Sequence, residues 1–199
     1  MTVLVIAEHD NRSLHAATRH AVGAARLCGG DVHLLVAGHD CTAAAHDAGR
    51  VAGVAKVWVA SAPHLAHGLA ENLAAQALQL LAQETYTHVL AAASTFGKSV
   101  MPRIAAALDA GQISEVTRVV APDVFERPIY AGNAIATVQA LDAVKVLTVR
   151  ATSFDAAPFG DAAAVVQEVT AVEDAGTARF VAAERTSSGR AELASARVV

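Results

Sequence analysis

The stretch at residues 126–150, ERPIYAGNAIATVQALDAVKVLTVR, constrains the fold of this chain more than any other. It contains three β-rich runs, at 128–130, Ala134–Gln139 and 144–150, which are separated by short turns carrying Gly, Asn or Asp. Two parallel strands need a crossover connection of roughly a dozen residues or more, and these turns are much shorter. The spacing therefore predicts that the sheet turns partly antiparallel at this block.

The chain before this block alternates strand and helix patterns. Continuous apolar runs are typical of parallel strands buried on both faces, and they lie at 3–7, 32–37, 56–60, His88–Ala92 and 113–120. Between them, apolar residues at helical spacing predict four helices, at 14–28 (with Ser13 as N-cap), Thr42–Gly49, 69–84 and 99–108. The alternation predicts an α/β fold with a doubly wound, mostly parallel sheet and an antiparallel β addition in the last third.

The last third of the chain follows a different pattern. Residues 165–172 and 179–183 are strand candidates that form a hairpin or return to an edge of the main sheet. Residues 186–190, TSSGR, have the composition of a linker. We expect an N-terminal α/β domain at 1–185, followed at 186–199 by an interdomain linker and the first residues of a domain that this chain lacks.

The composition narrows the classes of function. With 54% hydrophobic and 4% aromatic residues, the core must be built from Ala, Val, Leu and Ile. The net charge of −4 disfavours binding to nucleic acid or to an anionic membrane surface. No apolar run reaches the ~20 residues that span a bilayer, so membrane insertion is not expected. Cys28 and Cys41 form no disulfide framework, which favours a reducing compartment, either a bacterial cytoplasm or an organelle matrix.

The local motif most suggestive of a ligand is STFGKS at residues 94–99, between the fourth strand and the fourth helix. Its Gly-Lys-Ser ending resembles a phosphate loop, whose backbone N–H groups hold an anion at a helix N-terminus. That loop requires an earlier glycine at the position where this chain has Ala92. Helix capping by Ser94 or Thr95, with a solvated Lys98, is the simpler interpretation. A ligand site at this end stays open, because open parallel sheets bind ligands beyond the carboxyl ends of their strands.

No residue pattern identifies a metal centre or a catalyst. His39, Cys41 and His46 are zinc-ligand types near one loop, but no fourth ligand lies at the spacing of a tetrahedral site. The chain also lacks the GxSxG nucleophile elbow and the GxGxxG dinucleotide loop. We therefore expect neither a bound metal nor an enzyme active site.

Two arginines are candidate anion ligands. Arg103 lies early in the fourth helix and Arg127 precedes the first run of the antiparallel block. An ion pair, with Glu115 or Asp109 as the partner, is the more ordinary role for each of them. The sequence therefore assigns no ligand to either residue.

Several longer segments together resemble one family. They are ASTFGKSVMPRIAAAL at 93–108, QISEVT at 112–117 and residues 127–150, with the opening VLVIAEHDNRSL and the closing SGRAELASARVV. Their combination and order resemble the N-terminal domain of the electron-transfer flavoprotein alpha subunit over essentially the whole chain. The resemblance implies an adenine nucleotide alpha hydrolase-like fold. It also implies a scaffold domain of an electron carrier, without a catalytic site of its own.

The same resemblance implies partners and a cofactor. The family pairs this subunit with a beta subunit in a heterodimer that passes electrons from flavin dehydrogenases to a membrane quinone oxidoreductase. The family's FAD site lies mainly in a C-terminal domain that begins with a strand and a Gly-rich turn, and no residue of this chain matches that motif. We thus expect FAD in the full-length heterodimer and none on these residues alone. Ala191 stands where the family usually has proline.

A nucleotide loop is the remaining implication of the resemblance. The related beta subunit binds AMP with a loop comparable in position to Thr95, Gly97, Lys98 and Ser99. Since the alpha domain generally lacks that nucleotide, these four residues are expected to be a vestigial or packing site. The alternative function is an adenine-nucleotide-binding module of the stress-protein type. That module needs a Gly-rich phosphate loop after the last parallel strand, which the sequence does not contain.

Overall fold

A computed structural model describes residues 1–160 and 163–184. Most of this part of the chain belongs to ten strands and four helices. The strands are β1 (Thr2–Ile6), β2 (Asp31–Gly38), β3 (Val54–Ser61), β4 (His88–Ala92), β5 (Gln112–Val116), β6 (Arg118–Ala121), β7 (Val124–Ile129), β8 (Ala134–Gln139), β9 (Lys145–Val149) and β10 (Val165–Glu168). The helices are α1 (Ala16–Cys28), α2 (Thr42–Gly49), α3 (Ala70–Gln83) and α4 (Thr95–Ala107).

Seven strands form one sheet in the order β10-β3-β2-β1-β4-β9-β5, and each neighbouring pair is parallel. Alternate residues of these strands enter two cores, as the side-chain period of a strand requires. One core lies between the sheet and α1, α2 and the antiparallel strands, and the other lies between the sheet and α3 and α4. The predicted doubly wound, mostly parallel fold is therefore confirmed. Among the described residues, no helix is long and apolar enough to cross a bilayer.

The antiparallel block has a different construction from the predicted one. β6, β7 and β8 form a separate antiparallel sheet, in which the predicted run at 128–130 is only the end of β7. The third predicted run, β9, returns to the main sheet and pairs in parallel with β4 and β5. The main sheet thus does not change direction. Instead, the small antiparallel sheet makes the crossover from β5 to β9 that a helix makes elsewhere in the fold.

The predicted single strand at 113–120 is wrong, because β5 ends at Val116 in the main sheet and β6 begins at Arg118 in the antiparallel one. The irregular residue before this break is Glu115. This residue has a φ of 57°, in the left-handed region, and the register between β5 and β9 shifts there. Its backbone N–H binds the Thr148 hydroxyl at 3.1 Å instead of a carbonyl of the ladder. β5 therefore ends in the main sheet, and β6 begins in the antiparallel one.

Two helices begin at other residues than predicted. His15, and not Ser13, is the N-cap of α1, since its Nδ1 accepts a hydrogen bond from the Ala17 N–H at 3.3 Å. Ser13 is held in the preceding turn, where its N–H donates to Asp10 at 2.7 Å. α4 begins at Thr95, well before the predicted residue 99. Its N-cap is Ser94, one of the two residues predicted to cap this helix.

Near the end of the described residues, β10 joins the edge of the main sheet. β10 pairs with β3, which confirms the edge position and excludes a hairpin, but it is shorter than the predicted 165–172. The predicted strand at 179–183 is absent, because those residues form no β-ladder. The predicted linker and domain start at 186–199 lie outside the described residues.

Candidate functional site

The strand order reverses between β1 and β4, because the chain winds to β2 and β3 on one side of β1 and to β4 on the other. Ligands of open α/β sheets bind outside the carboxyl ends of the strands at such a reversal. A cleft of about 520 Å³ lies there. We name it the switch-point cleft, and its lining includes Glu8, His9, Asn11, His39, His67 and Phe180.

Asn11 holds the three loops around this cleft together. Its backbone is left-handed, with a φ of 69°, a conformation that asparagine tolerates better than most residues. Its side-chain oxygen accepts from the His39 N–H at 3.1 Å, and its amide nitrogen donates to the Ala66 carbonyl at 2.9 Å. A Cβ on Gly38 would lie 2.2 Å from that oxygen, so glycine is needed for the approach. The wall of the cleft is therefore a fixed element of the fold.

The deepest imidazole of the cleft, that of His9, is expected to be neutral. Burial lowers its pKa below the usual value of 6.5, although a backbone hydrogen bond with Ala37 and the charge of Asp10 act in the opposite direction. The Asn11 N–H donates to Nδ1 of the ring at 3.1 Å, which requires an unprotonated Nδ1. His9 thus adds no positive charge to the cleft.

A carboxylate already lies beside the N-terminus of α4. The Ser94 hydroxyl donates to the Glu8 carboxylate at 2.6 Å and accepts from the Gly97 N–H at 3.3 Å. The positive end of the helix dipole is therefore compensated by the protein itself. A phosphate at this helix end would meet the negative charges of Glu8 and of Asp10, which also lines the cleft. Two carboxylates thus lie near the helix end that would otherwise attract the pyrophosphate of FAD or the phosphate of an adenine nucleotide.

The four residues of the predicted nucleotide loop form the first turn of α4, but they do not converge on one point. A Cβ on Gly97 would lie 1.9 Å from the Ala92 carbonyl oxygen, so this glycine lets the helix approach β4. The Ser99 hydroxyl donates to the Phe96 carbonyl within its own helix, at 2.8 Å. Thr95 is exposed. Lys98 is exposed, as expected of a solvated lysine, and it also forms an ion pair.

That ion pair belongs to a three-residue cluster around Glu115. Lys98 lies 2.5 Å from one carboxylate oxygen of Glu115, and Arg150 lies 3.2 Å from the other. Burial alone would raise the pKa of Glu115, but the hydrogen bonds and charges of the two cations outweigh it and hold the pKa below its usual value. The cluster joins α4 to the end of β9 through the left-handed residue of β5.

The two arginines with a predicted anion or ion-pair role have other partners than expected. Arg103 forms an ion pair with Glu71 of α3, at 2.8 Å, and not with Glu115 or Asp109. Arg127 donates from Nε to the Ser114 carbonyl at 2.7 Å and from its terminal nitrogen to the Ser114 hydroxyl at 3.0 Å. Both arginines therefore stabilise contacts between elements.

The histidines and cysteines do not gather into a ligand set. His39 contacts Asp40 at 3.6 Å, and Cys28 and Cys41 are both buried as free thiols. In residues 1–160 and 163–184, no group of three or more His, Cys, Asp or Glu side chains is arranged to hold a metal ion. His39, Cys41 and His46, the zinc-ligand types noted in the sequence, are therefore not part of such a group in the described residues.

Two polar residues of α3 escaped the sequence analysis. Asn72 and Gln76 are almost completely buried, and their side-chain amides bind the chain that follows β10. One turn separates them on the helix, beside the apolar stripe of Leu73, Ala77 and Leu80. Their position beside the apolar stripe is the signal that the sequence offers. An amide side chain buried there needs a hydrogen-bond partner from another part of the chain.

The comparison with known proteins gives the family. The family model of the electron transfer flavoprotein domain matches residues 3–176. The chain belongs to the electron transfer flavoprotein family. The family and the fold class expected from the resemblance are therefore both confirmed.

Relatives within this family are similar along the whole chain. The identity is 52% to the electron transfer flavoprotein subunit alpha of Pseudomonas aeruginosa and 50% to that of Bradyrhizobium diazoefficiens. It is 42% to the mitochondrial electron transfer flavoprotein subunit alpha of Dictyostelium discoideum. Each match covers 100% of this chain, but only 64%, 62% and 60% of the respective relatives. The chain thus spans less than two thirds of these alpha subunits.

Proposed function

We propose that this chain is the scaffold domain of an electron transfer flavoprotein alpha subunit, without a catalytic site of its own. In the complete heterodimer, it contacts the beta subunit and positions the part that carries FAD. The assembly passes electrons from flavin dehydrogenases to a quinone oxidoreductase. The observation that supports the proposal most directly is the 52% identity to an alpha subunit over all 199 residues. Because the relatives are bacterial and mitochondrial, we propose a bacterial cytoplasm or an organelle matrix as the compartment.

We further propose that FAD binds outside these 199 residues, with residues 186–199 linking the two parts. The chemistry of the switch-point cleft supports this, since Glu8 lies at the helix end where a dinucleotide phosphate would bind. Purified chain mixed with excess FAD should elute from gel filtration without the visible flavin absorption. AMP should likewise produce no heat of binding in calorimetry. A stoichiometric complex of this chain with FAD or AMP would contradict the proposal that the cofactor binds outside these 199 residues.

The antiparallel sheet is the surface that we assign to the beta subunit. Tyr130 is 80% exposed and Ile135 is 58% exposed, and Ile135 pairs across the strands with Pro128. Exposed apolar and aromatic side chains that cluster on one element mark a protein contact. The turn at Tyr130–Gly132 also holds three consecutive residues at positive φ, and backbone strain of this kind is concentrated at functional positions.

A pair of matched substitutions tests this surface. Ile135→Glu should weaken binding to the purified beta subunit about 30-fold, because it places a charge in an apolar contact worth roughly 2 kcal/mol. Val165→Glu is the control, since Val165 is also β-branched, is 63% exposed and lies on β10 at the opposite edge of the main sheet from β5. Calorimetry or surface plasmon resonance gives both affinities.

Two outcomes would count against these proposals, and they are distinguishable. Equal affinities of the Ile135→Glu and Val165→Glu variants would reject the surface while leaving the subunit assignment intact. If neither this chain nor the full-length alpha chain co-purified with the beta subunit, the subunit assignment itself would be wrong.

A further inference from the structure

Residues 169–184, which we name the strap, leave the edge of the main sheet and continue without helix or strand. The Val169 N–H still bonds to the Val59 carbonyl, at 2.9 Å, as the last link to β3. From there the strap passes along α3 and reaches the switch-point cleft, where Phe180 and Ala183 contribute to the lining. A segment without its own secondary structure needs other contacts to hold it in place.

Gln76 supplies the first of these contacts. Its side chain is fully buried, and its oxygen accepts from the Val172 N–H at 2.8 Å while its nitrogen donates to the Thr170 carbonyl at 3.2 Å. The amide thus binds one donor and one acceptor of the strap backbone, as a neighbouring strand would. Its nitrogen also donates to Gln79 at 3.0 Å, which orients the group.

Asn72 supplies the second contact, one helical turn away. Its oxygen accepts from the Ala175 N–H at 2.9 Å, and its nitrogen donates to the Asp174 carboxylate at 2.9 Å. The same nitrogen donates to the His64 carbonyl at 3.3 Å, which links Asn72 to the loop before α3. The hydrogen bond from Asn72 is the main cause that lowers the pKa of Asp174, so that carboxylate is ionised at neutral pH.

The far end of the strap meets the cleft through an aromatic stack. The rings of Phe180 and His67 are parallel within 14°, and their centroids are 3.7 Å apart. Phe180 is nevertheless 41% exposed, so this contact is not part of a packed core. The strap therefore forms one wall of the cleft, and that wall has few anchors.

We propose that the strap is a releasable wall of the switch-point cleft, and that Asn72 and Gln76 are the clasp that holds it closed. Elements with few buried apolar contacts open locally at a lower free energy than the whole domain. Release also leaves no orphaned polar group, because water reaches the two amides as soon as the strap departs. The closed state stacks Phe180 on one face of the exposed His67 ring, and the open state frees that face and widens the cleft beside it.

Native-state proteolysis measures the opening directly, because Arg179 is a trypsin site within the strap. Gln76→Leu and Asn72→Leu each remove two hydrogen bonds to the strap, so cleavage after Arg179 should accelerate about tenfold or more in each. Gln83→Leu is the control, as it makes the same change on the exposed end of α3. Circular dichroism and the unfolding midpoint verify that each variant is folded under the assay conditions.

The His67 ring protons report whether the clasp controls the cleft. In the unsubstituted chain, the stacked Phe180 ring should shift their NMR signals upfield, and Phe180→Ala should remove that shift while leaving the clasp intact. The clasp variants should move the same signals toward their positions in the Phe180→Ala variant. If an α3 variant does not fold, Val172→Pro removes the N–H that Gln76 binds without changing the helix. Unchanged cleavage after Arg179, or unmoved His67 signals in the folded clasp variants, would overturn the proposal.

Discussion

Gly97→Ala tests how closely α4 is set against β4. The added Cβ would lie 1.9 Å from the Ala92 carbonyl oxygen and 3.1 Å from its carbon. Ordinary carbon–oxygen contacts are about 3.3 Å or longer, so the helix or the strand must move by more than 1 Å, about the length of a bond. The oxygen belongs to the backbone of a fully buried strand that pairs with β1 and β9, so no side-chain rotation relieves the clash.

Two opposing effects determine the free energy of unfolding of this variant. Alanine in place of glycine stabilises a helix by about 1 kcal/mol. Overpacking of a buried contact costs roughly 1–3 kcal/mol, and a clash with fixed backbone belongs at the upper end of that range. The net expectation is a loss of about 2 kcal/mol. For a domain of this size, that loss lowers Tm by about 4–8 °C.

Gly49→Ala provides the matched control. Gly49 is the last residue of α2, and its added Cβ would have Val166 as its nearest contact, at an ordinary 3.5 Å. Only the stabilisation of the helix by alanine then remains, so the free energy of unfolding should stay unchanged or rise by up to about 1 kcal/mol. Urea unfolding followed by circular dichroism gives both values. If Gly97→Ala were as stable as the unsubstituted chain, or if the two variants changed alike, the argument from close approach would be refuted.

Three further outcomes follow from buried polar groups. Tyr86→Phe removes the hydroxyl that lies 2.8 Å from Trp58 Nε1 and 2.9 Å from His33 Nδ1. The substitution should lower the free energy of unfolding in urea by about 1–3 kcal/mol and shift the fluorescence emission of Trp58. An unchanged unfolding midpoint would contradict this expectation. Burial lowers the pKa of His88 below 6.5 in the folded state, so the unfolded chain binds the proton first and stability falls as the pH drops below about 6.5. The urea midpoints at pH 7.5 and pH 5.5 should therefore differ less in His88→Gln than in the unsubstituted chain. An equal difference in both proteins would reject this. Burial raises the pKa of the Cys28 thiol to about 12, so a thiol reagent should label it only on unfolding, and rapid labelling of the folded chain would count against that burial.

Sequence patterns predict all four helices and the central strands of the fold. His88–Ala92, Ala134–Gln139 and Thr42–Gly49 have the predicted bounds, since each is a short run bounded by turn residues. The break between β5 and β6 was not predictable in this way. It follows shortly after Glu115, whose left-handed conformation residues other than Gly, Asn and Asp rarely adopt, and no local pattern marks that position.

The position of the candidate site was predictable, but its chemistry was not. A doubly wound sheet has its crevice at the carboxyl ends of the strands, and the cleft lies there. The decisive contact joins Ser94 to Glu8, which are 86 residues apart in the chain. Considered separately in the sequence, Ser94 and Glu8 each have the pattern of an ordinary loop residue. Only their proximity shows that a carboxylate lies where the Gly-Lys-Ser ending suggested a phosphate.

The end of β10 shows the same limit at the edge of the sheet. Residues 165–172 have the composition of one strand, and the ladder with β3 does continue to the Val169 N–H. Beyond it, Gln76 binds the Thr170 carbonyl and the Val172 N–H, the groups that a longer strand would offer to its neighbour. A helix side chain, 94 to 96 residues earlier in the sequence, thus competes with the sheet for the same backbone groups. The length of this strand is therefore set by α3, and Gln76→Leu should release the strap beyond Val169.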